Sequence, residues 1–530
     1  MSLTRAIARN TLIQFAGRAV SLALALIVLG IMTRALGPVG FGGYATIISF
    51  LQFFGIVVDF GLTLTANRML GAIPSLSSRD GRREEAATKM LQSPSGHGSA
   101  EGGERGRAQA AASTQGAPTA VFERTSSAAH PDSTLMSNLM TIRFFSALIF
   151  LGMAPLVALL FPYPATVKMG MFLTTLSFLA IIMGQTLVPL FQKELRMGYV
   201  VASELAGRVV LLIGVAMAAY LRAGLLAFMG AVVISSIVQY LVLRFYAGRY
   251  ITLRFAFDQA VWKDILQTSW PIGVSIIFNL IYLKADTIFL SVLQPQATVG
   301  FYSASYRVID QFTALATMFI GLVLPPLTAA FVARDTARFK KIYQGAFDGY
   351  AVIAFPLLVG ALVLGVPLMR FIAGEEFGIS GTILGIHMVA MTTVFFSTFF
   401  GHVVVVLNKQ HSMIKWYAIN AAFGLMAYAL TIPRFGMFGA AWSTVGTEML
   451  ILIMTAIVVI STTRIVPSLT LVWKSIISAL LMGYLLHILP ALPVLLLVAI
   501  GVAVYGLALY ALGGIKKEML REIISIRSLP

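Results

Sequence analysis

Long apolar runs recur along almost the whole of this chain, and they constrain its fold more than any other feature. A helix that crosses a bilayer needs about 20 consecutive apolar residues. Fourteen segments approach or exceed that length: 11–33, 41–67, 136–161, 166–190, 203–221, 225–246, 266–293, 301–331, 346–372, 381–407, 413–433, 437–461, 471–489 and 492–513. Hydrocarbon offers no partner for a free N–H or C=O, so each segment must satisfy its own backbone as a helix. The expectation is an all-α, polytopic integral membrane protein with about fourteen transmembrane helices. Composition agrees: 58% of the 530 residues are hydrophobic and 11% are charged, against about a quarter charged in soluble domains. With no cysteine, the chain has no disulfide, thiol nucleophile or Cys-based metal site.

The net charge of +17 is topological. With the N-terminus placed in the cytoplasm, the inner loops, tails and helix ends hold twenty-one basic residues, including RDTARFKK at 334–341. The outer loops and their edges hold five: Arg34, Lys168, Arg222, Arg370 and Arg434. This asymmetry follows the positive-inside rule, so the excess calls for no nucleic-acid partner, and anionic headgroups attract it. Arg5 and Arg9 before AVSLALALIVLGIM imitate a signal peptide, but the many spans that follow make this segment the expected first span. Both termini are then expected to be cytoplasmic.

Residues 74–134 break the pattern. They contain five large apolar residues, while seven basic and seven acidic residues cancel. Such a stretch cannot bury enough apolar surface to offset its ordering entropy, so it reads as a disordered cytoplasmic insert. A linker is the plain reading and a regulatory or partner-binding segment the alternative. The rest divides into an N-terminal transport lobe (1–72 and 136–246), a cytoplasmic linker (247–265), a C-terminal lobe (266–461), an extra helix pair (471–513) and a basic tail (514–530). An internal repeat supports two lobes: LGPVGFGGYAT at 36–46 and LQPQATVGFYSAS at 293–305 share a Leu-x-Pro turn followed by Gly and Tyr. Repeated halves with a substrate site between them are a transporter signature.

Removing the loop, loop-edge and insert charges leaves five basic residues within spans: Arg18, Arg143, Arg208, Lys284 and Arg307. A cation at the bilayer centre costs about 2.5–3.5 kcal/mol on insertion scales. Arg18, Arg143 and Arg208 fall at similar depth in the inner half of the first lobe. Lys284 and Arg307 share a level in the outer half of the second. Asp286 is expected to pair with Arg307 across the helix interface, leaving Lys284 unbalanced. In the plainer alternative that pair only fastens two helices, and the three inner arginines snorkel to the surface. Taken together, five buried cations against few acids point to a cavity for a large anion. Asp286, Asp310 and Glu448 are candidates for proton or sodium coupling or for helix pairing, while Asp59 and Glu204 read as structural. His387 and His402 are too far apart to share a metal, no metal-ligand cluster or catalytic triad stands out, and no cofactor is expected.

TRALGPVGFGGYA (33–45), VVDFGLTLTANR (57–68), ADTIFLSVLQPQATVGFYSASYRV (285–308) and TIPRFGMFGAAWST (431–444) resemble the polysaccharide-transporter, or O-antigen flippase, family. That family belongs to the multidrug/oligosaccharidyl-lipid/polysaccharide exporter superfamily. The resemblance implies a two-lobed inner-membrane transporter. It would move glycans linked to undecaprenyl pyrophosphate, for lipopolysaccharide or other polysaccharide synthesis, to the outer leaflet by alternating access. Combined with the depths of the buried cations, the expectation is that Arg18, Arg143 and Arg208 receive the pyrophosphate from the cytoplasmic side, and that Lys284 with Arg307 receive it as the cavity opens outward. Implied partners are the lipid-linked glycan, membrane lipids, and glycan polymerase and chain-length machinery. A lipid II flippase or a multidrug exporter of the same superfamily is the alternative, although cationic drugs would favour acids where cations predominate here. A membrane-bound glycan polymerase or ligase fits less well, because the outer loops are short.

Overall fold

The computed structural model describes residues 3–72, 131–490 and 492–514. Most of the expected insert (73–130) and the basic tail (515–530) lie outside the described residues. The described chain is helical: α1 (Leu3–Asp59), α2 (Leu62–Ala72), α3 (Pro131–Ala158), α4 (Ala165–Lys193), α5 (Gly198–Tyr220), α6 (Leu225–Ala247), α7 (Gln259–Leu293), α8 (Gln296–Val332), α9 (Thr336–Ala373), a 3-10 turn (Glu375–Phe377), α10 (Gly378–Val406), α11 (Gln410–Thr463), α12 (Thr470–Ile488) and α13 (Val494–Ala511).

Among the described residues, eleven helices are long and apolar enough to cross a membrane. Two of them, within α1 and α11, run to 44 and 52 residues; straight, they would reach about 66 and 78 Å. Neither is straight. α11 breaks at Gly436 (φ 54°) just after Pro433. Beyond the break it returns on itself: the hydroxyls of Tyr428 and Thr444 lie 3.3 Å apart, whereas a straight helix would separate them by about 24 Å. α1 breaks at Gly37 (φ 63°), followed by Pro38. Leu26 and Leu29 before that break line one small cavity with Phe41 and Tyr44 beyond it, so α1 is also a hairpin. Counting each hairpin as two crossings and adding the 35-residue α7 gives the fourteen expected crossings.

The structure departs from the expected boundaries at identifiable points. The expected loop before residue 41 shrinks to a single glycine in the left-handed region, where no Cβ penalty applies. The expected span 41–67 is interrupted at Phe60 and Gly61, both at positive φ (36° and 79°). α3 starts at Pro131, where proline suits a first helical position, rather than at 136. Asp132 in its first turn pairs with Lys193 of α4 at 2.5 Å, both nearly fully buried. The basic loop at 334–341 is mostly helix, because the Asp335 carboxylate caps α9 by accepting from the Arg338 N–H at 2.9 Å.

Lys193, Arg196, Arg249, Arg334, Lys340 and Lys341 fall at the helix ends of one face, termed here the basic face. The α1 and α11 hairpin tips mark the opposite, hairpin face. Several cations on the hairpin face are occupied locally. The Arg34 guanidinium donates to the Phe371 and Ile372 carbonyls at the end of α9 (2.6 and 2.7 Å), and the Lys168 ammonium donates to the Leu159 carbonyl (3.2 Å). Both neutralise orphan carbonyls at helix C-termini.

The helices pack as two groups, α1–α6 and α7–α11, with α12 and α13 laid against α9. α1 is the principal bridge, touching α7, α8 and α9. The two copies of the repeated Leu-x-Pro…Gly…Tyr motif meet there backbone to backbone. A Cβ on Gly42 would sit 1.8 Å from the Gln296 carbonyl oxygen, and one on Gly300 would sit 2.1 Å from that of Pro38. Only glycine permits this reciprocal approach. Thr46 donates to the Gln296 side chain beside it at 2.9 Å. Among the described residues, every hydrogen bond between α1–α6 and α8–α11 lies in the half nearer the hairpin face.

α7 instead engages both groups. Its first half is fastened to α3 by an extended strap at 251–258. Alternate strap N–H groups, on Arg254, Ala256 and Asp258, donate to Ser137 Oγ (3.2 Å), Thr141 Oγ1 (3.1 Å) and Asn138 Oδ1 (2.9 Å). The period-2 donors of an extended chain thus meet polar residues spaced along one face of α3. Its second half packs on α11.

Gly300→Val should push the helix crossing apart, at about 1–3 kcal/mol for overpacking. Because the native chain has no cysteine, Thr46→Cys is a clean reporter. A membrane-impermeant thiol reagent on the hairpin side should label it slowly in the unmodified background and several-fold faster beside Gly300→Val. Equal rates would show that the crossing does not seal that face.

Candidate functional site

Beneath the sealed tip, the second arm of α1 and the first turns of α8 present polar residues to one another. α1 contributes Tyr44, Ser49 and Gln52, and α8 contributes Ser303, Arg307 and Asp310. Such side chains survive between apolar helices only where they face one another or water. Two small cavities result, of about 110 and 30 Å³, and Arg307 lines both. The larger brings Arg208 from α5 and Arg307 from α8 to a common space with Tyr44 and Gln311. The smaller places Arg307 beside Asp310, Ser49 and Gln52.

Arg307 lies over the Tyr44 ring, its guanidinium carbon 5.4 Å from the centroid, and donates to the Tyr44 hydroxyl at 3.3 Å. This cation–π contact holds the side chain across the gap between the two groups while leaving donors free to meet an anion. Arg208 is 35% exposed, with its nearest acid, Glu204, at 3.8 Å. Glu204 also accepts from Ser21 of α1 at 2.8 Å, tying α5 to the first arm of α1. Arg18, one turn before Ser21, is exposed on that arm.

The structure places Arg143 away from Arg208 and Arg307. It is 1% exposed and forms an ion pair with Asp59. It also donates to Thr63 Oγ1 at 2.5 Å and to Thr186 Oγ1 at 3.2 Å. The guanidinium therefore joins the end of α1, the start of α2, α3 and α4, and it does not line the cavity between the groups. Equal depth with Arg18 and Arg208 placed it among the anion ligands; depth carries no information about the direction a side chain takes around its helix. The backbone of Lys284 lies on α7, but its side chain lies outside the described residues.

The expected Asp286–Arg307 pair is not among the described contacts. Asp286, 1% exposed, accepts instead from the Tyr302 hydroxyl at 2.7 Å and from Thr287 N–H at 2.6 Å. It belongs to a buried polar cluster inside the second group. There Tyr302 Oη lies 3.5 Å from Thr444 Oγ1, Ser305 Oγ lies 3.0 Å from His387 Nδ1, and the His387 ring packs edge-on against Tyr302 and Tyr306. Glu448, 5% exposed, lies close enough to Asp286 for their charges to interact. Asp310 faces the smaller cavity, which Thr287 and Tyr306 at the edge of the cluster also line. His402 bonds its own helix, at the Thr398 carbonyl.

Sequence reasoning missed Tyr44, Gln52 and Gln311 as cavity residues, and Tyr302, Tyr428 and Thr444 as cluster residues. Uncharged polar groups barely disturb hydropathy. The one available signal was the Tyr at the end of each repeat motif: Tyr44 meets Arg307, and Tyr302 meets Asp286.

Comparisons with known proteins agree with this architecture. A family model described as polysaccharide biosynthesis protein matches residues 110–380. A curated relative, the probable flippase AglR of Haloferax volcanii, is 22% identical over 256 residues, 46% of this chain; the match spans about half (53%) of that relative's length. Among solved structures, the lipid II flippase MurJ in an inward closed conformation superposes with a TM-score of 0.68 at 13% identity, covering 94% of this chain and 98% of that one. An inward-facing multidrug resistance MATE family transporter of the MOP superfamily gives 0.56 at 14% identity, covering 84% and 95%. These two likenesses show the fold, and the family model covers half of the sequence. This chain belongs to the polysaccharide biosynthesis protein family and has the all-α, polytopic fold found in MOP-superfamily transporters.

Proposed function

We propose that this protein is a flippase that carries a lipid-linked oligosaccharide or polysaccharide repeat unit from the cytoplasmic to the outer leaflet. The observation that carries this reading is the convergence of Arg208 and Arg307, from opposite helix groups, on one cavity between them. An undecaprenyl pyrophosphate headgroup suits two guanidinium groups, which bind phosphate oxygens through paired charge-assisted hydrogen bonds. Leu26, at the edge of this cavity, also lines an apolar cavity of about 510 Å³ between α8, α9, α10, α12 and α13. A polyprenyl tail there would lie beside a headgroup held by the arginines. The seal at the hairpin face and the positive-inside distribution support entry from a cytoplasmic basic face. Rocking of the two groups that parts the Gly42–Gly300 crossing would open the hairpin face and give alternating access. Arg18 guides the headgroup inward, and Lys284 receives it on the outward side. The acids Asp286 and Glu448 in the second group, with Asp310 beside Arg307, are the proposed proton or sodium coupling residues. The glycan polymerase and chain-length machinery would act on the delivered unit.

Leaflet sidedness of the lipid-linked glycan in cells tests this. Loss of the protein should leave the glycan on the cytoplasmic face. Arg208→Ala, Arg307→Ala and Lys284→Ala should each cut delivery roughly 10- to 100-fold at unchanged abundance, as expected for charged hydrogen bonds worth about 1.5–3 kcal/mol. Normal delivery without the protein, with the glycan left unpolymerised, would overturn the reading in favour of an enzyme.

Arg143 should respond differently. Arg143→Ala leaves Asp59 uncompensated and should cost about 3 kcal/mol of stability, seen as a lower thermal midpoint and poor abundance. The double variant Arg143→Met/Asp59→Leu should recover most of that stability and, with it, transport. Transport lost in a stable double variant would return Arg143 to the anion site.

A further inference from the structure

A second large cavity, of about 480 Å³, lies away from the interface between the groups. Its walls are α3, α4, α6 and the strap, and none of its lining comes from α1, α5 or α7–α13. Its body is apolar, formed by residues such as Phe144, Leu176, Leu179 and Met183. Arg244, in the last turn of α6, and Arg254, on the strap, stand at its basic-face end. Among the described residues neither guanidinium has an acidic or hydrogen-bond partner. Phe245, Phe255 and Phe257 around this mouth are 64%, 74% and 72% exposed, as suits aromatic anchors at a membrane interface.

We infer that this cavity binds an anionic glycerophospholipid of the leaflet at the basic face, with its phosphate between Arg244 and Arg254 and one acyl chain along the apolar body. The volume is in the range of small-molecule sites, about 300–1,000 Å³. The charges fit: two guanidinium forks at headgroup level complement one phosphodiester, and basic pockets between helices on the cytoplasmic side suit acidic lipid headgroups. The site also has a mechanical connection. Arg254 and Phe255 are strap residues, and the strap runs directly into α7, which engages both helix groups. A lipid seated here stiffens the strap against α3 and fixes the base of α7. The inference is independent of the flippase reading.

The test uses the purified full chain in phosphatidylcholine nanodiscs. Titrated phosphatidylglycerol, followed by native mass spectrometry and thermal midpoint, should bind and raise the midpoint, while extra phosphatidylcholine should not. Arg244→Gln/Arg254→Gln should weaken phosphatidylglycerol binding at least tenfold with the lipid-free midpoint unchanged. Met183→Trp, which fills the apolar body and keeps both arginines, should also abolish binding. Equal binding of the two lipids, or phosphatidylglycerol binding that survives the arginine double variant, would overturn the inference. Displacement of phosphatidylglycerol by far lower concentrations of undecaprenyl phosphate would overturn it too, by assigning the site to a polyprenyl carrier.

Discussion

The cost of an uncompensated charge in hydrocarbon sorts the charged residues of this protein. Three solutions are seen among the cations with described side chains. Arg143 is paired and surrounded by hydroxyl acceptors. Arg34 and Lys168 cap helix C-termini, where partial negative charge is already present. Arg208 and Arg307 take neither solution. Arg208 has a weakly held neighbour at 3.8 Å, and Arg307 rests on an aromatic face, so their remaining donors point into shared space. The last arrangement is stable only beside water or an anion, which the proposed headgroup cavity would supply.

The geometry that brings these two arginines together depends on the contact between Gly42 and Gly300. Backbone-to-backbone contact with no intervening side chains brings α1 and α8 closer than interlocking residues allow. Few side chains have to disengage when it opens. The surrounding bonds, Thr46 to Gln296 and Arg34 to the end of α9, are polar and lie at the hairpin face, where water can replace them. α7, strapped to α3 at one end and packed on α11 at the other, keeps the two groups connected when the crossing parts. The molecule therefore has a side-chain-free contact on one face and a tether on the other, as the proposed rocking cycle requires.

Much of this was legible in the sequence, for definite reasons. Long apolar runs and a repeated Leu-x-Pro…Gly…Tyr motif are local signals, and they gave the spans and the position of the interface. Directions around a helix were not legible. Arg143 and Arg307 each sit a few residues into a span, yet one faces Asp59 within its own group and the other crosses to Tyr44. The pairing of Arg143 with Asp59 joins residues 84 apart in sequence, across the insert. The turns at Gly37 and Gly436 fall in the gaps between the expected spans, at 34–40 and 434–436, but that a single glycine makes each turn without a loop was not legible from hydropathy.

The two helix groups use buried charge differently, and the difference bears on where energy can enter a transport cycle. In the first, Asp59 is paired with the Arg143 guanidinium, which also holds the hydroxyls of Thr63 and Thr186, so the pair is a fixed element. In the second, Asp286 is held by hydroxyl and backbone donors with Glu448 close by and the His387 ring against the same tyrosines. Hydroxyls both donate and accept, so such a cluster can hold a carboxylate, a carboxylic acid or a carboxylate with a small cation by rotating O–H groups alone. Tyr302 links this cluster to the motif that carries Gly300. In the proposed transport cycle, a change of protonation or cation occupancy at Asp286 would thus act within two residues of the crossing that seals the hairpin face, while the Arg143–Asp59 pair would hold the first group fixed.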